Sequence, residues 1–231
     1  MLYDNRHKIK KIISKDRLDG YFHEVQSRIG DCDLLDAYTY YSWNTLLSES
    51  LYASLQALEV SLRNSIQNNA TQYFNNPLWF EDVNRMKPFN IKSINAAKKS
   101  LAKQRKNIDA GRIVAELNLG YWISLFYAHY EQILWRPLIK KIFPKMDPSQ
   151  NNRKSLSARL EKIRKLRNRV FHFEPIWYLN LEERHAEIIE VLSWIEPAMV
   201  ELLKPVDNFP ACCTQDKYDE IRAGLKENFK S

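Results

Sequence analysis

The chain has 231 residues, 45% of them hydrophobic and 12% aromatic, enough apolar side chain to bury a core and too much for a disordered or low-complexity chain. Lysine and arginine outnumber the acids 35 to 28, and the net charge of +7 points to a polyanionic partner, nucleic acid or an acidic membrane surface. No run approaches about 18 uninterrupted apolar residues, which excludes a membrane span; Cys32, Cys212 and Cys213 form no framework spacing, and the polar, basic N-terminal stretch has no leader-like core, so the cytoplasm is the expected location.

Only five glycines occur, and apolar residues recur at three- and four-residue steps rather than alternating, so the fold class is all-α. One helical domain is expected over residues 1–204, with 205–231 as a C-terminal appendage. His7, Lys8, Lys10 and Lys11 form a basic lead-in, read as a solvated stretch. A first helix is expected over Asp16–Ile29, and the loop Gly30-Asp31-Cys32-Asp33 puts acids where the next helix begins. Cys32 is read as a packing residue. Residues 34–73 then read as one long helix with Leu47, Leu51, Leu55, Leu58, Leu62 and Ile66 on a single stripe. Glu59 and Arg63 flank that stripe as an i,i+4 pair.

Asn75-Asn76-Pro77 ends this helix, and Trp79 and Phe80 follow as packing aromatics. Residues 90–107 read as a lysine-rich helix, whose Lys98, Lys99, Lys103, Arg105 and Lys106 belong to the densest basic run and suit a phosphate backbone; a solvated face is the other reading. After a short turn and helix bracketed by Gly111 and Gly120, an aromatic helical segment is expected over Trp122–Ile142, with His129 inside its apolar face. A helix over residues 181–203, interrupted at Pro197, carries His185 toward solvent, and the tail ends in a short charged helix.

Between these lies the segment Leu156–Phe173, free of glycine and proline, with Leu156, Leu160, Ile163, Leu166 and Val170 at helical spacing and Pro175 to end it. At about 100° per residue Arg167 falls within the apolar arc. That is where an arginine either covers apolar surface with its stem or serves a site. His172 falls in the last turn, where the carbonyls of a helix C-terminus favour a cation, and Asn168 lies four residues before it, placed to orient the ring. Arg167 and His172 are about 140° apart on an ideal helix. For both to meet one substrate, the helix must distort near Pro175, or a second copy of the helix must come from another chain, the arrangement favoured here.

Arg167-Asn168-Arg169-Val170-Phe171-His172, an arginine-polar-x-x-x-histidine pattern, resembles the signature of the HEPN superfamily of helical RNA-binding and RNA-cleaving domains. Tyr41-Ser42-Trp43-Asn44, Leu58 through Asn64, Trp79-Phe80, Gly111 through Trp122 and Leu166 through Ile176, taken in that order, resemble the Abi-like branch, the abortive-infection proteins of AbiD and AbiF type. The resemblance covers roughly residues 15–203. It implies an HEPN-like helical bundle with additional helices, catalytic Arg167, His172 and Asn168, and a homodimer that builds a composite active site. The family pattern reads Arg-Asn-Arg-Ile-Ala-His-His-Glu-Pro, whereas Phe171 and Phe173 here flank a single histidine. That leaves the Arg167 and His172 pair intact and puts in doubt any role of a second histidine.

RNA carries its own nucleophile, the 2′-hydroxyl, so cleavage needs a base, an acid and a cation for the phosphate. An imidazole supplies either proton role, and a guanidinium matches a phosphate bidentately. No His-Glu-x-x-His, Cys-x-x-Cys or glycine-rich phosphate loop occurs, so neither metal nor cofactor is expected. The expected function is a metal-independent endoribonuclease; the family implies a role in phage defence or as a toxin, with an antitoxin or regulatory RNA as further partner. RNA is the partner expected, with Arg169, Arg63, Glu59 and the 98–106 basic residues as contacts; Glu59 and Arg63 are candidates for orienting Arg167 or holding a phosphate. Two other classes fit the same residues: a non-cleaving RNA-binding module, and a structural protein in which the motif is a buried hydrogen-bond network.

Overall fold

Where the helices start is set by side chains that accept the amides a helix leaves open. In the computed structural model, which describes residue 9 and residues 11–229, every regular element is helical. Helix α1 (Lys15–Ile29) begins at Ser14, whose hydroxyl accepts from the Arg17 amide. Helix α2 (Leu34–Ser50) begins with a reciprocal box: Asp33 accepts from the Asp36 amide at 2.8 Å and Asp36 from the Asp33 amide at 2.9 Å. The acidic loop expected before this helix is its cap. His7, Lys8 and Lys10 of the basic lead-in lie outside the described residues, and Lys11 is exposed.

The long helix expected over 34–73 is two helices, α2 and α3 (Tyr52–Phe74). Ser50 donates its hydroxyl to the Leu47 carbonyl at 2.9 Å, a local bond that competes with the helical ladder at the break. The leucine stripe survives it, for Leu47, Leu51, Leu55, Leu58, Leu62 and Ile66 are all buried. Helix α4 (Pro88–Lys103) starts with proline in its first turn, where no amide is missed, and stops short of the expected end. Arg105 takes a left-handed φ of 55°, so Arg105 and Lys106 lie in the turn beyond the helix. Helix α5 (Ala110–Glu116) follows, capped by Asp109.

The aromatic segment is not one helix. Helix α6 (Leu119–Ser124) gives way to a tight turn over Ala128–Tyr130, a π-helical turn over Glu131–Trp135 and helix α7 (Arg136–Ile142). Pro137 has no amide to offer the preceding turn, a cause of wide turns at such positions. The change of direction buries Tyr130 and exposes His129, so His129 is not the core residue expected.

Helix α8 (Arg153–Phe171) carries the motif, followed by α9 (Leu181–Ile195), α10 (Pro197–Leu203), α11 (Phe209–Cys212) and α12 (Gln215–Asn228). The chain divides into two compact units. Among the described residues one comprises those up to Ala53, Leu166–His185 and Val206–Phe229; the other comprises Ser54–Lys165 and Ala186–Pro205. In the second, Trp79 and Phe80 are buried, and Trp79 donates its indole N–H to Gln67 at 2.9 Å. Asn90 ties its buried centre together, accepting from the Tyr130 hydroxyl at 2.6 Å and donating to Ser124 at 2.8 Å.

In the first unit α12 packs along α2. Phe229 joins Leu18, Leu35, Ala37 and Tyr38 in one core, and Tyr218 packs against Tyr40 and Trp43. A short charged helix reads as an appendage locally because its apolar residues are few; their partners lie more than 170 positions earlier. His185, expected at the surface, is buried, with its ring on Phe209 and Nε2 at 2.9 Å from Asp207.

Arg222 anchors α12 to the capping box of α2, with Nε at 2.9 Å from Asp36. Burial raises the Asp36 carboxyl, but the Asp33 amide and Arg222 outweigh it and hold the group below the ordinary carboxylate range. A carboxyl depressed on folding contributes stability that is complete above its unfolded pKa and is lost as pH falls through the folded one. In melting curves taken from neutral to strongly acidic pH, R222A should show a lower Tm at neutral pH and a smaller acid-side loss. Parallel curves for R222A and wild type would remove Asp36 as a contributor.

Candidate active site

Asn44 is a buried polar side chain in the middle of α2, 4% exposed, and such a group must find partners. It finds three. Its Oδ1 accepts from the amides of Ile176 (2.6 Å) and Trp177 (3.2 Å), and its Nδ2 donates to the Glu174 carbonyl at 3.4 Å. The chain leaving α8 is thereby held against α2. Trp177 completes the attachment, its ring 4.2 Å from that of Tyr40.

The end of α8 shows why this hold matters. The amide of Phe173 donates to the Val170 carbonyl (3.2 Å) and that of Glu174 to the Arg169 carbonyl (2.9 Å), the two bonds of a Schellman turn. Phe173 therefore occupies the left-handed position, at φ 57°, and His172 the cap itself. His172 still donates its amide to the Asn168 carbonyl at 2.9 Å, so the helical path continues through the histidine and bends only after it. The connection from Asn168 to His172 is through the backbone, not the side-chain bond expected. Arg17 of α1 donates to the Phe173 carbonyl.

His172 is exposed, and Arg167 is half-buried with its guanidinium 4.2 Å from the Phe171 ring centroid. On the helical path Phe171 lies between Arg167 and His172, at about 40° and 100° from them. Tyr52 adds a second ring, 5.9 Å from Phe171. Arg169 turns away to the loop, donating to the Pro175 carbonyl (2.9 Å) and the Tyr178 hydroxyl (2.6 Å), with Glu174 at 3.5 Å. The Tyr178 bond raises the proton affinity of its guanidinium. Arg169 thus braces the segment that carries His172.

The remaining predicted residues belong to the second unit. Glu59 and Arg63 are half-buried on α3; among the described residues nothing accepts a hydrogen bond from the buried Arg63 Nε. Lys98 is paired with Glu81 at 2.6 Å, whereas Lys99, Lys103, Arg105 and Lys106 are exposed. Along α4 runs a groove of about 600 Å³ bordered by Lys92 and Lys99 and floored by Val83, Met86, Pro88 and Ile91. Among the described residues no group of three or more His, Cys, Asp or Glu side chains is placed to hold a metal ion, and no helix is long and apolar enough to cross a membrane.

Comparison with known proteins gives no match to a family model, to a curated protein or to a solved structure. Asn44 stands in the Tyr41–Asn44 stretch without a role of its own in the sequence, and Tyr52 and Tyr178 carry no local signal. The signal for Asn44 was present as a lone amide among aromatics in the Tyr40–Trp43 run; Tyr52 and Tyr178 acquire their roles only through distant partners.

If the Asn44 clamp holds the loop, N44A strands two amides that were buried and bonded. At about 1–3 kcal/mol for each unsatisfied group, urea unfolding should show a loss of about 2–6 kcal/mol. Loss of the charge-assisted bonds in R169A should cost about 1.5–3 kcal/mol. A surface-like loss of under about 0.5 kcal/mol in either variant would contradict the clamp.

Proposed function

We propose that this protein is a metal-independent endoribonuclease of the HEPN type, with Arg167 and His172 as catalytic residues and abortive-infection defence or a toxin role as its setting. The observation that carries the reading is the presentation of His172. It is the cap residue of α8, exposed to solvent, on a turn held by Asn44, Arg169 and Arg17. An exposed imidazole on a backed turn is placed to serve one of the two proton roles of in-line phosphate chemistry.

In this reading an imidazole takes the proton from the 2′-oxygen, which attacks the adjacent phosphorus while the 5′-oxygen leaves and is protonated by an acid. Arg167 offsets the charge on the non-bridging oxygens. One histidine in one chain serves one of the two proton roles at a time. Because the helical path runs unbroken through His172, Arg167 and His172 keep about 140° between them within one chain. Both facts favour a homodimer in which two copies of the α8 terminus face one phosphate. Products would end in 2′,3′-cyclic phosphate and 5′-hydroxyl.

A non-cleaving RNA-binding module is the second reading, favoured by the exposed Lys99, Lys103, Arg105 and Lys106 on and beyond α4. These suit counterion release from a phosphate backbone without any contribution to chemistry. Labelled structured RNA incubated in EDTA with wild type, H172A and R167A separates the two. The nuclease reading expects cyclic-phosphate ends from wild type and a rate loss of at least about 100-fold, the scale of general acid–base catalysis, in folded H172A. Intact RNA with tight binding supports the second reading, and activity abolished by EDTA with 5′-phosphate ends would falsify the metal-independent mechanism.

A further inference from the structure

Phe173 is anomalous on two independent counts. Its φ of 57° places a bulky side chain in the left-handed position that helix ends normally give to glycine, and its ring is 71% exposed. Backbone strain of this kind persists only where surrounding bonds enforce it, and clusters at functional sites. Here the two turn bonds and the Arg17 contact to the Phe173 carbonyl enforce it. Phe171 and Tyr52, their rings 5.9 Å apart, are 39% and 50% exposed, so the α8 terminus presents large aromatic rings together with the exposed His172 and Arg17. Cations and exposed aromatics in one place match the two parts of a nucleotide, phosphate and base.

We infer that Phe173, assisted by Phe171 and Tyr52, is a stacking platform for an unpaired base next to the scissile phosphate, making the substrate single-stranded at that point. This inference rests on the RNA-cleaving reading above and specifies its substrate class. A base in a duplex is covered on both faces by its neighbours, so a ring can take only a base released from the stack. Stacking is indifferent to base identity because each base has a π-face. The platform therefore selects strandedness rather than sequence.

The test uses full-length protein and two fluorescent, 2′-O-methylated, hence uncleavable, single-stranded oligonucleotides with identical phosphates, one with bases and one with abasic central positions. Wild type should prefer the intact oligonucleotide by about 5- to 100-fold, the range set by stacking energies. F173G should lose that preference and F173W should keep it, while R167A weakens both probes alike. Glycine suits the left-handed backbone, so F173G should melt no lower than wild type; a lower Tm accompanied by weaker binding to both probes would mean a structural ring and overturn the inference. Equal wild-type binding to both probes overturns the platform while leaving the nuclease reading to the cleavage of unmodified RNA. Binding of neither probe overturns both. A change in mass by light scattering for F173G, with the base preference retained, reassigns the ring to contact between copies of the chain and likewise overturns it.

Discussion

One amide side chain sets the conditions for the rest of the site. Asn44 makes three hydrogen bonds to the backbone of residues 174–177, and so decides where the chain goes after α8. Without those bonds the amides of Ile176 and Trp177 would lose their partner. With them, the turn at Phe173 and the exposure of His172 follow from geometry. Arg169 reinforces the hold from the other side through Pro175 and Tyr178, which explains why a conspicuously basic motif uses one of its two arginines internally.

The division of labour within the motif is chemical. Arg169 is surrounded by acceptors, a carbonyl, a phenol and a carboxylate, and is committed to structure. Arg167 packs its guanidinium over the Phe171 ring instead. Two arginines two residues apart point about 200° apart around a helix, so they serve different surfaces. That separation makes one a positioning residue and the other the candidate for the phosphate.

The C-terminal segment belongs to the same support. Tyr218 packs against Tyr40 and Trp43, Trp43 donates its indole N–H to the Cys212 carbonyl at 2.9 Å, and Tyr40 in turn carries Trp177. The chain end is thus continuous with the layer that backs the loop after α8. Asp207 likewise gives His185 a buried partner, which accounts for a histidine that local pattern assigned to solvent.

Much of this was legible in the residue order. The helical class, the leucine stripe on α2 and α3, the acidic cap at Asp33, the packing role of Trp79 and Phe80 and the span of α8 all follow from i,i+3 and i,i+4 spacing and from capping chemistry, which are local. Helix breaks at Leu51 and before Pro137 were not legible, because a serine hydroxyl or a proline within an apolar run permits a continuous or a broken helix equally until packing chooses. The fates of Arg169, His129 and His185 were also undetermined, since each depends on groups that chain direction alone does not locate. By itself, then, the sequence determined the helices and the Arg167-to-His172 pattern, through interactions spanning four residues or fewer. Only the tertiary structure decided how the segment after His172 is held and that α12 packs on α2, because those outcomes rest on contacts between residues 130 or more positions apart.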